Sequence, residues 1–368
     1  MTGASGDTGS IPPLESAGGW LEGGGSDNDV VVSSRVRLAR NLAGYPFVWT
    51  ASAADRGRIV GACHDVIVGA ALAPQLMWID LARAAELDRA VLVERRLISQ
   101  QHARGRQAAG RGGADEPRAV AIGMPRERFS VMVNEEDHLR IQVVAPGLDL
   151  GSVASRANEI DDALEDKLDF AFSPRFGYLT ACPTNVGTGA RLSVMLHLPA
   201  LKATNEVEKV KRAAADMSLA IRGAYGEGSE SLGDFYQISN QTTLGKTELI
   251  LLNELQHEII PRVIEYERAA RKRLLTRQRR MLEDKVFRAL GTLRSARLMS
   301  TQEAMQQLSW LRLGVALGLI EDVDIATLNR LTLLTQPAHL QRVVGSPLNQ
   351  DQRREARAAL LRSRLAPA

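Results

Sequence analysis

The chain has little cysteine, few aromatic residues and no long apolar run. Only Cys63 and Cys182 occur among its 368 residues, which excludes a disulfide-stapled scaffold and predicts a reducing, cytoplasmic compartment. No uncharged apolar segment approaches the roughly 18 to 20 residues that cross a bilayer, and no basic stretch precedes an apolar one at the start of the chain. We therefore expect neither a membrane span nor a secretory signal. The formal charge of +3 is too small to demand a nucleic-acid partner.

Several common site motifs are also missing. The sequence has no HExxH, no cysteine-rich ligand spacing and no Gly-x-Ser-x-Gly, so it predicts no protein-bound metal and no hydrolase. Gly245-Lys246-Thr247 ends like a phosphate-binding loop, but Asn240 stands where that loop needs glycine. Gly187-Thr188-Gly189 lacks the third glycine of a dinucleotide fingerprint.

Composition and periodicity divide the chain into four parts. Residues 1–28 hold eight glycines and two prolines, which predicts a disordered tail. Alternating apolar residues over 29–38 and 129–144 predict a strand and a hairpin, and residues 99–118 are expected to form a flexible basic loop. Asn205 with Glu208 and Ser300 with Glu303 predict capped helices. Residues 281–368 show only helical spacing, so they predict a separate helical module.

Arginines recur beside strand ends in four separated segments. Planar guanidinium groups bind phosphate oxygens bidentately and neutralise the charge of a phosphoryl group in transfer. A set of such side chains is what a polyphosphate site needs, although spacing alone does not prove that they converge. The arginines are Arg35, Arg37, Arg140, Arg191 and Arg222.

The segments SSRVRLARN (33–41), VNEEDHLRIQ (133–142), YLTACPTNVGTGARLSVMLHLPAL (178–201) and RGAYGEGSE (222–230) resemble signature blocks of the guanidino (phosphagen) kinase superfamily. The likeness covers about residues 29–275 and implies a catalytic domain there. It implies an α/β (α+β) fold, an antiparallel sheet flanked by helices, with an all-α C-terminal domain over 281–368.

The resemblance also assigns roles. It implies ATP with Mg²⁺, Glu136 as the base that accepts the guanidinium proton, Glu227 as the carboxylate that orients the guanidinium, and Cys182 as a reactive cysteine. His138 is expected to be structural. The residues expected to bind ATP are Ser33, Ser34, Arg35, Val36, Arg37, Arg96, Arg140, Arg191, Leu192, Ser193, Val194, Met195, Arg222, Gly223, Ala224, Tyr225 and Gly226.

Within the superfamily the chain resembles the bacterial protein-arginine kinases. The first arginine block lies near the start of the chain, without the N-terminal helical domain of the small-molecule enzymes, and 282–291 and 335–365 resemble the C-terminal domain of the protein kinases. The resemblance implies protein substrates with exposed arginines, a possible Clp-type chaperone or protease partner, and a homodimer formed through the C-terminal domain.

Two positions depart from that pattern. Arg96 stands where relatives usually place a histidine against the adenine, and guanidinium stacking is a substitute for it. Relatives carry an RDxxRA pocket for phosphoarginine, where this chain has Arg353, Arg354, Arg357 and Ala358 in the sequence RREARA. Because Arg354 replaces the aspartate that would grip a guanidinium, the allosteric function of this pocket is in doubt.

Three other functions stay open at this point. One is a small-molecule guanidino kinase, and another is an inactive adaptor that keeps the fold. The third is nucleic-acid binding, suggested by seven Lys and Arg residues within 268–280. That stretch lacks interleaved aromatic residues and lies on a predicted amphipathic helix, which favours a solvated helix face.

Overall fold

A computed structural model describes residues 18–105, 116–223 and 231–367. In these residues the central feature is an eight-stranded sheet in which every neighbouring pair is antiparallel. Its strands lie in the order β2-β3-β4-β5-β1-β8-β10-β9, and β6 and β7 form a separate hairpin. The strands are β1 (Val31–Arg40), β2 (Gln75–Asp80), β3 (Ala119–Met124), β4 (Phe129–Val133), β5 (Leu139–Pro146), β6 (Phe172–Ser173), β7 (Gly177–Tyr178), β8 (Ala190–His197), β9 (Leu219–Gly223) and β10 (Phe235–Asn240).

Helices follow and flank these strands. A π-helical turn, Glu254–Ile259, lies just before Pro261. The α-helices are α1 (Ala53–Gly69), α2 (Glu86–Glu94), α3 (Gln100–Arg104), α4 (Leu150–Glu165), α5 (Pro199–Ala203), α6 (Val207–Asp216), α7 (Glu248–Asn253), α8 (Ile260–Arg277), α9 (Arg279–Ser295), α10 (Thr301–Ala316), α11 (Ile325–Leu334), α12 (Pro337–Val344) and α13 (Gln350–Arg364).

The two faces of the sheet have different neighbours because side chains alternate along each strand. One face carries Val36, Leu38 and Ile141, which pack in the main core with α1, α4 and α8. On the opposite face the described residues form two small apolar clusters. Met132 packs there with α2, and Met195 packs with Trp20 and α11. Between these two clusters, no apolar side chain of residues 18–105, 116–223 or 231–367 covers the sheet.

The predicted fold class is confirmed. The 129–144 segment forms an antiparallel pair, β4 with β5, and the described residues after 278 form helices and short connections without a strand. The C-terminal helices are not separate in packing, since Leu282 of α9 and Leu308 of α10 belong to the same apolar cluster as the sheet. This continuity arises because α10 buries one side of its surface against the catalytic region.

Three local expectations differ from the structure. Residues 18–28 are not a free tail, because Trp20 and Leu21 are buried, while residues 1–17 lie outside the described part. The segment 99–118, expected to be a flexible loop, contains α3 and the buried Arg118, and its residues 106–115 lie outside the described part of the chain. Asn205 does not cap α6, since its φ is +57° and the helix begins after Glu206 without a side-chain cap.

Candidate active site

The predicted phosphate-binding arginines lie on the uncovered face of the sheet, which we call the arginine face. On β1, Arg35 and Arg37 are two residues apart and so point the same way. Arg37 pairs with Arg191 on β8, and Ala39, on the same face, pairs with Arg140 on β5. Arg222 on β9 pairs with Gln237, which in turn pairs with Met195 of that face. Strand register therefore brings all five arginines to one surface.

Electrostatics on this face show positive charge that the protein only partly neutralises. Burial lowers the pKa of Arg35 to about 9, and the charges of Arg96, Arg140 and Arg191 add to the effect, in that order. Burial and neighbouring arginines also hold the pKa of Arg37 well below its usual range. The Nε of Arg37 is buried and makes no hydrogen bond within the described residues. Such a surface is stabilised by an anion with several oxygens.

An open pocket of about 330 Å³ occupies the arginine face. We call it the arginine pocket. Side chains from α2 and the residues just after it form the wall opposite the sheet. Its lining includes Arg35, Arg37, Val93, Arg96, Ile98, Ser99, Gln100, Met132, Arg140, Gln142, Arg222, Gly223 and Gln237. Its polar, cationic lining matches the chemistry of a polyphosphate.

The turn between β4 and β5 brings two glutamates to the edge of this pocket. Glu135 is only 3% exposed and accepts hydrogen bonds from Ser99 Oγ at 2.5 Å and Arg140 Nη1 at 2.6 Å. Glu136 has 31% of its side chain exposed, and its Oε2 lies 3.6 Å from Arg140 Nη2. Glu135 is therefore committed to positioning Arg140, whereas Glu136 has an exposed carboxylate that an incoming group can reach.

Opposing effects act on Arg140 itself. Burial lowers its pKa, but the carboxylates of Glu135, Glu136 and Asp137 outweigh burial, so that the pKa is raised above its usual value. Arg140 therefore differs from Arg35 and Arg37. Its charge is compensated by protein carboxylates, whereas among the described residues burial and repulsion outweigh any such compensation at Arg35 and Arg37.

Asp137 joins the glutamate turn to the cysteine loop. Its Oδ1 accepts hydrogen bonds from Asn41 Nδ2 and from the backbone N–H of Ala181, both at 2.6 Å. Cys182 follows, with its Sγ 3.0 Å from Thr184 Oγ1. Burial raises the pKa of Asp137 to about 6. This link fixes the loop of Cys182 relative to the glutamate turn.

His138 is buried and has two partners. Its Nδ1 accepts from the backbone N–H of Leu42, and its Nε2 donates to the carbonyl of Pro46, both at 2.9 Å. Both ring nitrogens are thus used within the fold. The arrangement supports the structural role expected from the sequence.

The remaining predicted ATP residues separate into three groups. Ser33, Ser193 and Met195 lie on the arginine face and line a recess next to the pocket. A second group lies on the opposite face, because side chains alternate along β1 and β8. These side chains are buried and do not line the site. The second group is Ser34, Val36, Leu192 and Val194. Glu227, with Ala224, Tyr225 and Gly226, lies outside the described residues.

Some residues of the pocket were not singled out from the sequence. Gln142 and Gln237 lie on the arginine face, and Gln237 Oε1 accepts from Arg35 Nη2 at 2.7 Å. Alternation along β5 would have identified Gln142, which is two residues from Arg140. Trp20 was missed because a glycine-rich segment carries no periodic signal.

The residues of the expected phosphoarginine pocket lie on α13. Arg357 is buried and donates to the carbonyls of Thr335 at 2.7 Å and Met299 at 3.0 Å. Arg353 donates to the carbonyl of Leu348, and Arg354 Nη1 lies 3.6 Å from Asp351 on the same helix. Ala358 is buried. Arg357 thus fastens α13 to the ends of neighbouring helices, a structural use of its donors.

Many cations of the 268–280 stretch are already paired. Arg268 forms ion pairs with Asp27 and Asp29, and Arg271 Nε lies 2.8 Å from the buried Glu267. Arg273 pairs with Glu206, and Arg279 with Glu283. The pairs of Arg268 and Arg273 tie α8 to other segments, whereas the Arg271–Glu267 and Arg279–Glu283 pairs lie within α8 and α9. These partners argue against a free basic surface for nucleic acid.

Comparisons with known proteins agree with this geometry. The ATP:guanido phosphotransferase C-terminal catalytic domain matches residues 63–270, and the protein-arginine kinase McsB C-terminal domain matches residues 279–368. Relatives named protein-arginine kinase from Symbiobacterium thermophilum and Halothermothrix orenii are 46% and 44% identical. In each case the alignment covers 94% of this chain and 96% of the relative.

Solved structures show the same fold. The duplicated taurocyamine kinase of Schistosoma mansoni, with transition state analog components bound, is 30% identical with a TM-score of 0.54. The match covers 65% of this chain and 33% of that duplicated chain. Lombricine kinase is 24% identical, with a TM-score of 0.54 over 72% of this chain and 73% of its own, which is a likeness of fold.

The chain therefore belongs to the ATP:guanido phosphotransferase family, whose members are kinases. Within that family it groups with the protein-arginine kinases, because both the catalytic and the C-terminal parts match and the likeness extends over almost the full length. Among the described residues, none of the helices has the length and apolarity needed to cross a membrane.

Proposed function

We propose that this protein transfers the γ-phosphoryl group of ATP to arginine side chains of proteins, producing phosphoarginine and ADP. The observation that carries the proposal is the juxtaposition of an incompletely neutralised arginine face with the exposed carboxylate of Glu136. The arginine face binds ATP, the phosphoryl donor, and Glu136 takes a proton from the acceptor guanidinium. The similarity to protein-arginine kinases over both domains favours a protein acceptor.

The donor side of the reaction is electrostatic. Arg35 and Arg37, at the centre of the arginine face, bind the phosphate oxygens together with Arg140, Arg191 and Arg222. Mg²⁺ carried on the phosphates would neutralise part of their charge and so favour phosphoryl transfer. The buried Nε of Arg37, which lacks a hydrogen bond in the described structure, is one donor available to a phosphate oxygen.

The acceptor side requires proton removal. Arginine is protonated at any physiological pH, so its nucleophilic nitrogen needs a carboxylate to align it and take a proton. That nitrogen attacks the γ-phosphorus, the N–P bond forms, the bond to the ADP oxygen breaks, and Glu136 receives the proton. Glu135 does not serve, because Arg140 and Ser99 already occupy its oxygens. Glu227 is proposed as the second carboxylate that orients the guanidinium.

Three further proposals concern Cys182, Arg96 and the arginines of α13. Cys182 is proposed as a reactive cysteine at the acceptor side, since Asp137 links its loop to the glutamate turn. Arg96 is proposed to contact the nucleotide from the turn after α2, because it lines the arginine pocket. Phosphoarginine binding at Arg353 and Arg354 is retained as a proposal, although Arg357 has its Nε and Nη1 engaged by backbone carbonyls.

A homodimer is proposed through the C-terminal helices. Phe287 of α9 and Leu298, in the loop between α9 and α10, are 52% and 58% exposed, so this region offers apolar side chains for contact with a second copy. A cytoplasmic location and the marking of proteins for a Clp-type protease rest on the family resemblance alone.

A competition experiment tests the function. Purified protein with Mg-ATP is offered an arginine-rich unfolded protein and free arginine, separately and together, with the Glu136→Gln variant as control. We expect phosphate on the protein, none on free arginine, and no transfer by the variant. Transfer to free arginine alone would instead make the enzyme a small-molecule guanidino kinase, and no transfer to either would favour an adaptor.

A further inference from the structure

Trp20 reaches the arginine face from a segment outside the matched catalytic domain. The segment forms a 3₁₀ turn, Gly19–Leu21. Two of its N–H groups bind residues 126 and 127. Gly18 N–H donates to the buried Glu127 Oε2, and Gly19 N–H donates to the carbonyl of Arg126, both at 2.9 Å. A Cβ at position 19 would lie 2.7 Å from that carbonyl oxygen, so the close approach requires glycine. The turn therefore holds Trp20 in a defined place.

The Trp20 ring contacts both the sheet and the C-terminal helices. It is only 6% exposed and packs with Val144, Met195 and Leu333. On its other side, the Arg96 guanidinium carbon lies 5.3 Å from the ring centre, within the range of a cation–π contact. Arg96 Nη1 also lies 3.6 Å from Met195 Sδ. The indole thus forms the wall against which the Arg96 side chain rests.

Arg96 stands at the junction of two cavities. The recess that contains Trp20 and the arginine pocket share Arg35, Arg96, Gln142 and Gln237 as lining residues. Among neighbouring charges, that of Arg96 has the largest effect on the pKa of Arg35. The backbone of Arg96 is held as well, with φ of +63° and its carbonyl accepting from Gln142 Nε2 at 2.7 Å. With the backbone fixed, the direction of the Arg96 guanidinium depends on the side chains that contact it, among them Trp20 and Met195.

From these contacts we propose that Trp20 is a positioning residue of the nucleotide site, which holds the Arg96 guanidinium at the mouth of the arginine pocket. The inference rests on the proposed function in one respect, that ATP binds on the arginine face. It adds a residue of the N-terminal segment to the determinants of nucleotide affinity. A shorter apolar side chain at position 20 would remove the aromatic face from beside Arg96 and hold its guanidinium less firmly, and the added cost of ordering the guanidinium would weaken nucleotide binding.

The test is a double-mutant cycle on the full-length protein, with the Kd of Mg-ATP measured by calorimetry. We expect Trp20→Leu to raise the Kd about fivefold, a typical effect of losing a partly buried cation–π contact. Trp20→Phe, which keeps an aromatic face, should stay near the wild-type Kd. In an Arg96→Ala background, Trp20→Leu should have no further effect on the Kd.

Trp310 supplies a matched control, because Lys285 Nζ lies 4.6 Å from its ring centre in the C-terminal helices, away from the pocket lining. Trp310→Leu removes a similar contact and should leave the Kd unchanged. The inference is overturned if Trp20→Leu leaves the Kd unchanged, or if its effect is the same with and without Arg96. Should wild-type protein bind Mg-ATP but fail to phosphorylate arginine, the proposed function fails while this inference stands.

Discussion

Removing one charge from the arginine face should raise the free energy of unfolding of the nucleotide-free protein. The same change should remove almost all of the further stabilisation that Mg-ATP gives the wild type. Arg35 is the best position, because burial and three neighbouring arginines lower its pKa to about 9. A shift of this size from the ordinary arginine value corresponds to at most about 5 kcal/mol of unfavourable charge energy. Arg35→Met keeps similar length and removes the charge.

The substitution also removes favourable contacts. Arg35 donates to Gln237 Oε1 at 2.7 Å and to Ser193 Oγ at 3.3 Å. Because the donor is charged, the two bonds together can contribute about 3 kcal/mol, so we expect a net rise of at most about 2 kcal/mol in the free energy of unfolding after solvent screening of the repulsion. Urea denaturation without ligand measures it. In the wild type, Mg-ATP at 100 times its Kd should add about 2.7 kcal/mol, and in the variant this gain should be almost lost.

Arg40 on the same strand provides the control. It points to the opposite face and is 1% exposed, with Nη2 2.6 Å from Asp161 Oδ2. Arg40→Met leaves that carboxylate buried without its partner, so it should destabilise the protein by about 3 to 5 kcal/mol. If Arg35→Met destabilises the ligand-free protein as Arg40→Met does, the arginine face is not an unsatisfied anion site and the reasoning is refuted.

Three further predictions concern the glutamate turn. Glu136→Gln should abolish phosphorylation while Mg-ATP still binds in calorimetry, and near-normal turnover would remove Glu136 from its role. Arg140→Ala should weaken ATP binding and, unlike Arg35→Met, lower the unfolding free energy by about 3 kcal/mol, because it leaves the buried Glu135 without its cation. Unchanged ATP affinity in that variant would count against the phosphate-binding assignment. The pKa of Asp137 is raised to about 6 by burial, so the folded state holds its proton more tightly than the unfolded state. Relative to Asp137→Asn, the wild type should therefore lose up to about 3 kcal/mol of stability as pH rises from 4 to 6, and parallel pH profiles in urea denaturation would contradict this.

Part of the geometry of the arginine face follows from the sequence for a physical reason. Period-two alternation places Arg35 and Arg37 on one side of a strand whatever the rest of the fold does. Strand register then decides whether Arg140 and Arg191 join them, and only the structure shows that Arg37 pairs with Arg191. Alternation also explains why Val36 and Leu192, which lie within the same motifs, turn to the core instead.

Contacts between residues distant in sequence could not be predicted. The glycine-rich segment before residue 28 looks disordered because its local composition cannot report that Glu127 binds Gly18, 109 residues away. The helical spacing of Arg353 and Arg357 suggests one anion pocket on α13. Tertiary contacts direct Arg357 instead to carbonyls of Thr335 and Met299. Long-range partners of this kind have no signature in a single sequence.

The central claim is that phosphate ends on arginine side chains of proteins. Mass spectrometry of an arginine-rich unfolded protein, incubated with the wild-type enzyme and Mg-ATP, tests it directly. We predict phosphate that is labile in acid and stable in alkali and that maps to arginine residues. Phosphate that maps to serine, threonine or tyrosine, or an unmodified protein in the presence of bound Mg-ATP, would contradict the account.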